Sequence, residues 1–306
     1  MNVHPSSAPA QASRVKGPIV WLDLDQKELD DAYDQVVYAP NRDFVHARNI
    51  FNGKRVRERL GEPKRIPYGP TPIEAYDLFP AKQPNAPINV FTHGGAWRQR
   101  SAKDYHFIAE TYVRAGAHCA VLDFAGVENT GGDLLPMADQ VTRAIVHVYK
   151  NAASFGGDVS RFYISGQSSG AHLAGVMSVT DWTQHGLPKD AIKGALLCSG
   201  MFDLKPVRLS KRSQYVNFTD EVEEKLSSQR HLDRLNCPLI VAYGTCETPE
   251  FKRQSRDFAA AVKAAGKPVQ LLVGEGYNHF EMPEMLASPY SQLGAAALEQ
   301  MKLTPG

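Results

Sequence analysis

Between Lys64 and Gly274 the chain repeats one texture eight times: a short apolar run, in order KRIPY, IEAYDLF, INVFTH, AHCAVLDF, RFYIS, KGALLCS, PLIVAY and VQLLVG. Runs of this length bounded by turn residues read as strands, and stretches of helical period lie between several of them. Tyr105, Ile108, Ala109 and Tyr112 form one such stripe; Val141, Ala144, Ile145 and Val148 a second; Phe251, Ser255, Phe258 and Val262 a third. Strands alternating with helices predict an α/β fold, a mostly parallel eight-stranded sheet with helices laid on its faces.

No Gly/Ser-rich or Pro-rich linker interrupts this pattern, so residues 17–306 are expected to form one domain behind a disordered tail at 1–16. Two helices are expected ahead of the sheet, through DQKELDDAYDQ and FVHARNIFNGKRVRERL, and neither carries a chemical motif. A long connection at 203–236 separates KGALLCS from PLIVAY and should hold a short helix near Asp220 to Ser227. It reads equally as a lid over the strand ends or as a surface loop.

A hydrophobic content of 43% supports a sizeable core, and 34 Lys and Arg against 33 Asp and Glu leave the chain almost neutral. That balance argues against nucleic acid or an anionic membrane and for a small-molecule partner. Cys119, Cys198, Cys237 and Cys246 form no CxxC pair, which disfavours a structural zinc or a disulfide framework and suits reduced thiols in a cytoplasm. The opening residues lack the apolar segment of a signal peptide.

The chemistry is concentrated in RFYISGQSSGAHLAG. Gly166-Gln167-Ser168-Ser169-Gly170 is a G-x-S-x-G sequence with an apolar run before it and a helical pattern after it. Such a strand-turn-helix lifts its central serine above the sheet, which makes Ser168 the candidate nucleophile. A serine hydroxyl needs a base, and the base needs an orienting acid. His279, in the loop after VQLLVG, has the required chain order and strand-end position. Glu247 after PLIVAY is the favoured acid, and Asp203 after KGALLCS is also admissible by position. The order serine, acid, histidine is that of the α/β-hydrolase fold.

One further stretch, NVFTHGGAW, places adjacent glycines at a strand end. Acyl transfer develops negative charge on the carbonyl oxygen, and bare backbone can bring N–H groups to it. Gly94, Gly95 and the N–H of Ser169 are therefore the candidate oxyanion hole. Trp97 reads either as a wall of the substrate pocket or as packing. Cys246, beside Glu247, reads more simply as a buried inert thiol than as a reactive one.

HGGAW at 93–97, GQSSG at 166–170, GTCETPEFKRQS at 244–255 and NHF at 278–280 together resemble the HGGxW-type arylformamidases, or kynurenine formamidases, of the α/β-hydrolase fold. The resemblance runs from about Leu29 nearly to the C-terminus. It implies hydrolysis of N-formylkynurenine to kynurenine and formate in tryptophan catabolism without metal or organic cofactor, with Ser168 as nucleophile, His279 as base and Glu247 as acid. Ala96 stands where hormone-sensitive-lipase-like esterases usually carry a third glycine. Glutamate replaces the commoner aspartate, and DFAGVENTGGDLLPM lacks the more typical tyrosine-and-proline pattern. A carboxylesterase or amidase with the same machinery is the alternative within this class, and a non-catalytic binding protein of the same fold the alternative outside it. A homodimer is compatible with either.

Overall fold

In the computed structural model, residues 14–306 are described. The N-terminal part is a small attachment built from strands β1 (Ile19–Trp21) and β2 (Leu24–Asp25), which pair antiparallel, and helices α1 (Gln26–Ala32) and α2 (Arg42–Leu60). Asp25 starts α1 through a capping box: its carboxylate accepts the Glu28 N–H, and Glu28 returns the contact to the Asp25 N–H. Most of the expected tail, residues 1–13, lies outside the described residues. Its last part is tied down, Arg14 to Asp25 and Lys16 to Glu28.

The main sheet contains all eight expected strands: β3 (Lys64–Pro67), β4 (Ala75–Phe79), β5 (Ala86–Thr92), β6 (His118–Leu122), β7 (Gly157–Gln167), β8 (Gly194–Cys198), β9 (Leu239–Gly244) and β10 (Val269–Gly274). Their spatial order is β10-β9-β8-β7-β5-β6-β4-β3. The β3–β4 and β4–β6 pairs are antiparallel and the others parallel. β7 begins four residues earlier than its apolar run, because Gly157 pairs with Ala86 at the foot of β5.

The connecting helices are α3 (Ala109–Arg114), α4 (Leu135–Asn151), α5 (Ser169–Ser178), α6 (Lys205–Leu209), α7 (Asp220–Leu226), α8 (Pro249–Ala264) and α9 (Gln292–Gln300). The expected stripes of α4 and α8 are the buried faces of those helices. The Tyr105–Tyr112 stripe is only partly α-helical: residues 102–108 wind as a 3-10 helix capped by Ser101 and Asp104, and α3 continues from Ala109.

Alternation along β5 divides the interior. Ile88 and Val90 enter the core shared with Val141, Ile145 and Val148 of α4, whereas Phe91 enters the opposite core with Tyr105 and Tyr112. Both faces of the sheet are thus covered, which is why its central strands read as continuous apolar runs.

The β8–β9 excursion contains α6 and α7, the latter started by the Thr219 hydroxyl accepting the Val222 N–H. It packs on the N-terminal attachment: Lys211 N–H donates to Asp30 Oδ1 at 2.6 Å, and Gln26 Nε2 donates to the Leu209 carbonyl at 2.8 Å.

Candidate active site

β7 delivers Ser168 at its C-terminal end, where φ 57° and ψ −124° turn the chain abruptly into α5. A side chain carried in this region of φ,ψ space is strained, so the surrounding structure must hold it. Ser168 N–H donates to the Cys198 carbonyl at 2.9 Å, and its own carbonyl accepts the His172 N–H at 3.0 Å. The elbow also brings α5 against β5: a Cβ on Gly170 would stand 2.0 Å from the Thr92 carbonyl oxygen. Only glycine fits that approach.

Above the elbow, Ser168 Oγ lies 2.8 Å from His279 Nε2, and His279 Nδ1 lies 2.7 Å from Glu247 Oε2. All three side chains are buried. The Nδ1 contact to a carboxylate fixes the proton on Nδ1, leaving Nε2 free to accept from the serine hydroxyl. His279 is held edge-on between Phe251 and Phe280, at centroid distances of 4.8 and 5.4 Å. Glu247 is held in turn: Oε1 accepts from Ser199 Oγ at 2.5 Å and from Gly244 N–H at 2.7 Å. Asp203, the other acid admitted by position, accepts the Lys205 N–H and faces Arg230 instead.

The glycine pair follows β5. His93 is stacked on Phe124 at 4.4 Å, and its Nδ1–H donates to the Gly94 carbonyl at 2.7 Å. Burial keeps this imidazole below its ordinary pKa, hence neutral. Carbonyl and N–H of one peptide point in opposite directions, so pinning the Gly94 carbonyl orients the Gly95 N–H. Gly95 has φ 124°, and a Cβ there would lie 1.9 Å from the Gln99 carbonyl oxygen. Gly95 lines the cavity over Ser168. Gly94 stands behind it, where a Cβ would lie 3.0 Å from the Tyr105 phenol oxygen. Ser169 is the first residue of α5, where an N–H lacks an intrahelical acceptor.

Trp97 is a packing residue and forms no part of the cavity wall. It is buried, its Nε1–H donates to His172 Nδ1 at 3.2 Å, and it meets His172 and Phe218 edge-on. Cys246 also departs from expectation, since it is exposed, whereas the other three cysteines are buried.

The cavity has a volume of about 220 Å³. That is below the ~300–1,000 Å³ usual for drug-sized ligands, and it suits a small substrate. Much of its wall comes from segments without a motif: Tyr33, Gln35 and His46 from the N-terminal attachment, Arg212 and Tyr215 from the β8–β9 excursion. Gln35 even reaches the acid, its Nε2 lying 3.4 Å from Glu247 Oε2. Gln167, the variable residue before the serine, donates from Nε2 to the His279 carbonyl at 3.2 Å and accepts from Tyr105 at 2.9 Å. Burial, with Arg100 and Arg42 adding repulsion, lowers the His46 pKa to about 4, so the ring is neutral in the cavity near pH 7.

The sheet order, the acute turn after β7 and the contacts at the strand ends define an α/β-hydrolase. Kynurenine formamidase of Danio rerio is 30% identical over 280 residues, covering 87% of this chain and 93% of that protein. The chain belongs to the kynurenine formamidase family. Kynurenine formamidase of Salmo salar is 28% identical over 92% of this chain and 98% of its own length. Residues 77–193 match the BD-FAE family model. Among solved structures, one assigned to a thioesterase of Silicibacter sp. tm1040 shares the fold, with a TM-score of 0.76, 22% identity and coverage of 88% of this chain and 98% of that one. The protein is accordingly a hydrolase of the α/β-hydrolase type. No helix among the described residues is long and apolar enough to cross a membrane.

Proposed function

We propose that the protein is a serine hydrolase that cleaves a small aryl formamide, N-formylkynurenine or a near relative, through an acyl-enzyme. The observation that carries this reading is the chain of contacts from Ser168 Oγ to His279 at 2.8 Å and from His279 to Glu247 at 2.7 Å, beneath a cavity suited to one small molecule. Similarity to the two fish kynurenine formamidases favours a formamide among the acyl donors such a site can take.

In this mechanism Ser168 Oγ bonds to the formyl carbon as its proton passes to His279 Nε2, and the carbonyl electron pair moves to oxygen. The Gly95 and Ser169 N–H groups stabilise that oxyanion, and Gly94, where a Cβ would meet Gln167 Oε1 at 2.4 Å, serves by allowing the close approach. When the carbonyl re-forms, the C–N bond breaks and His279 protonates the departing arylamine. Water then repeats the cycle: His279 takes its proton, the hydroxide oxygen bonds to the formyl carbon, and formate leaves as Ser168 recovers its hydrogen.

The test is a comparison of kcat/KM for N-formylkynurenine with that for p-nitrophenyl acetate and butyrate. The formamide is expected to lead, and a preference for the bulkier acyl groups by orders of magnitude would favour the carboxylesterase alternative. Labelling by a fluorophosphonate, lost in Ser168→Ala, excludes a non-catalytic binding protein, because an unactivated serine does not react.

A further inference from the structure

Arg212 lies in the turn Lys211–Gln214 of the β8–β9 excursion and is only 6% exposed. Its guanidinium carbon sits 5.5 Å from the centroid of Trp97 and 5.9 Å from that of Phe251. Nη1 donates to the Tyr215 hydroxyl at 3.2 Å and Nη2 to the Tyr33 carbonyl at 3.0 Å, whereas Nε has no partner among the described residues. Arg212 forms no ion pair with any described carboxylate, and residues 1–13 contain no Asp or Glu that could supply one.

A cation withdrawn from water is costly unless an anion or a full set of hydrogen bonds compensates it. Two neutral oxygens leave three of the five guanidinium N–H groups unused. The deficit faces a functional space, because Arg212 lines the cavity over Ser168 together with Arg42, Arg100 and Lys211. Among the described residues, Asp34 is the one carboxylate in that lining, and Lys211 already holds it. Arg42 pairs with Asp43 outside the cavity. The cavity therefore carries an excess of positive charge whose most buried member lacks a counter-ion.

We propose that Arg212 is a specificity residue that binds a carboxylate carried by the substrate on its leaving-group side. The inference rests on the hydrolase reading above and narrows it: a formyl group has no room for a charge, so the anion belongs to the arm of the arylamine. The guanidinium fork suits a planar carboxylate, and the aromatic faces of Trp97 and Phe251 hold that fork in place.

The experiment compares N-formylkynurenine with its primary carboxamide, which differs in the charge of that arm, on the wild type and on Arg212→Met and Arg212→Lys. The wild type should prefer the carboxylate. Arg212→Met should lower kcat/KM for the acid roughly 10- to 100-fold more than for the carboxamide, chiefly through KM, with partial recovery in Arg212→Lys. Equal losses on both substrates, or no preference in the wild type, would overturn the inference. Because Arg212 also ties down Tyr33, an unfolded variant leaves a wild-type measurement to decide: 3-phenylpropanoate should protect Ser168 from a fluorophosphonate far better than 3-phenylpropanamide, and equal protection rejects the proposal. Two aryl acetates differing by a propionate arm separate the two readings. Arg212-dependent preference for the acidic acetate without formamide turnover would retain Arg212 and reject the formamidase; formamide turnover indifferent to charge would do the reverse.

Discussion

Ser199 shows how much of the proposed reacting centre lies one residue behind it. With φ 56° at the end of β8, it donates to Glu247 Oε1, while Gly244 N–H binds the same oxygen. These contacts leave Oε2 to orient His279. Ser199→Ala should therefore lower kcat by roughly tenfold, as expected for a lost hydrogen bond to a charged group, with KM within about twofold. Steady-state kinetics on N-formylkynurenine, with circular dichroism as a control for folding, measure it; an unchanged kcat would show that Gly244 alone suffices. Ser168, Glu247 and His279 were legible because their residue types recur at strand ends in a fixed order. Ser199 was not, since a serine after a strand has many uses and only the fold brings it to the carboxylate. Trp97 was ambiguous for a related reason: a motif fixes position in the chain, whereas the contact with His172 depends on how α5 packs.

At the scale of elements, α5 and β5 meet so closely that one added carbon has nowhere to go. Gly170→Ala would place its Cβ against the backbone oxygens of Thr92 and His93, at 2.0 and 2.4 Å, and neither can rotate away. The expected cost is about 3 kcal/mol in urea unfolding, with loss of turnover as the elbow shifts. A stability within about 0.5 kcal/mol of wild type would mean that the helix can lift without penalty. The central strands were readable because burial on both faces forces short apolar runs, and turn residues mark their ends. The 3-10 winding of residues 102–108 was not, because the spacing of Tyr105, Ile108, Ala109 and Tyr112 suits either helix type. The N-terminal attachment gave no chemical signal at all. Tyr33, Gln35 and His46 acquire their place only when the attachment docks beside two loops, with contacts spanning 179 residues to Arg212 and 212 residues to Glu247.

For the molecule as a whole, several imidazoles are kept neutral by their surroundings. Burial lowers the pKa of His172 to about 4, and burial likewise lowers His93, His118 and His147. His172 has both nitrogens engaged as a neutral ring, Nδ1 accepting from Trp97 and Nε2 donating to the Leu226 carbonyl at 2.9 Å. The unfolded chain takes up protons near the ordinary value of 6.5, while the native His172 does not until about 4. Between those values the unfolded state binds more protons, so stability rises with pH there and is fully present above about 6.5. The urea midpoint should fall as the pH drops from about 6.5 to about 4, and less steeply in His172→Gln. An identical slope in the two proteins would remove His172 from the account.

The seam between the attachment and the excursion sets how the chamber can vary. The proposed reacting groups stand at the ends of sheet strands, but much of the chamber wall around them comes from two accessory pieces joined by Lys211 to Asp30, Gln26 to Leu209 and Arg212 to Tyr33. Exchanging residues along that stitching would retailor what the chamber admits, provided changes on one side are answered on the other.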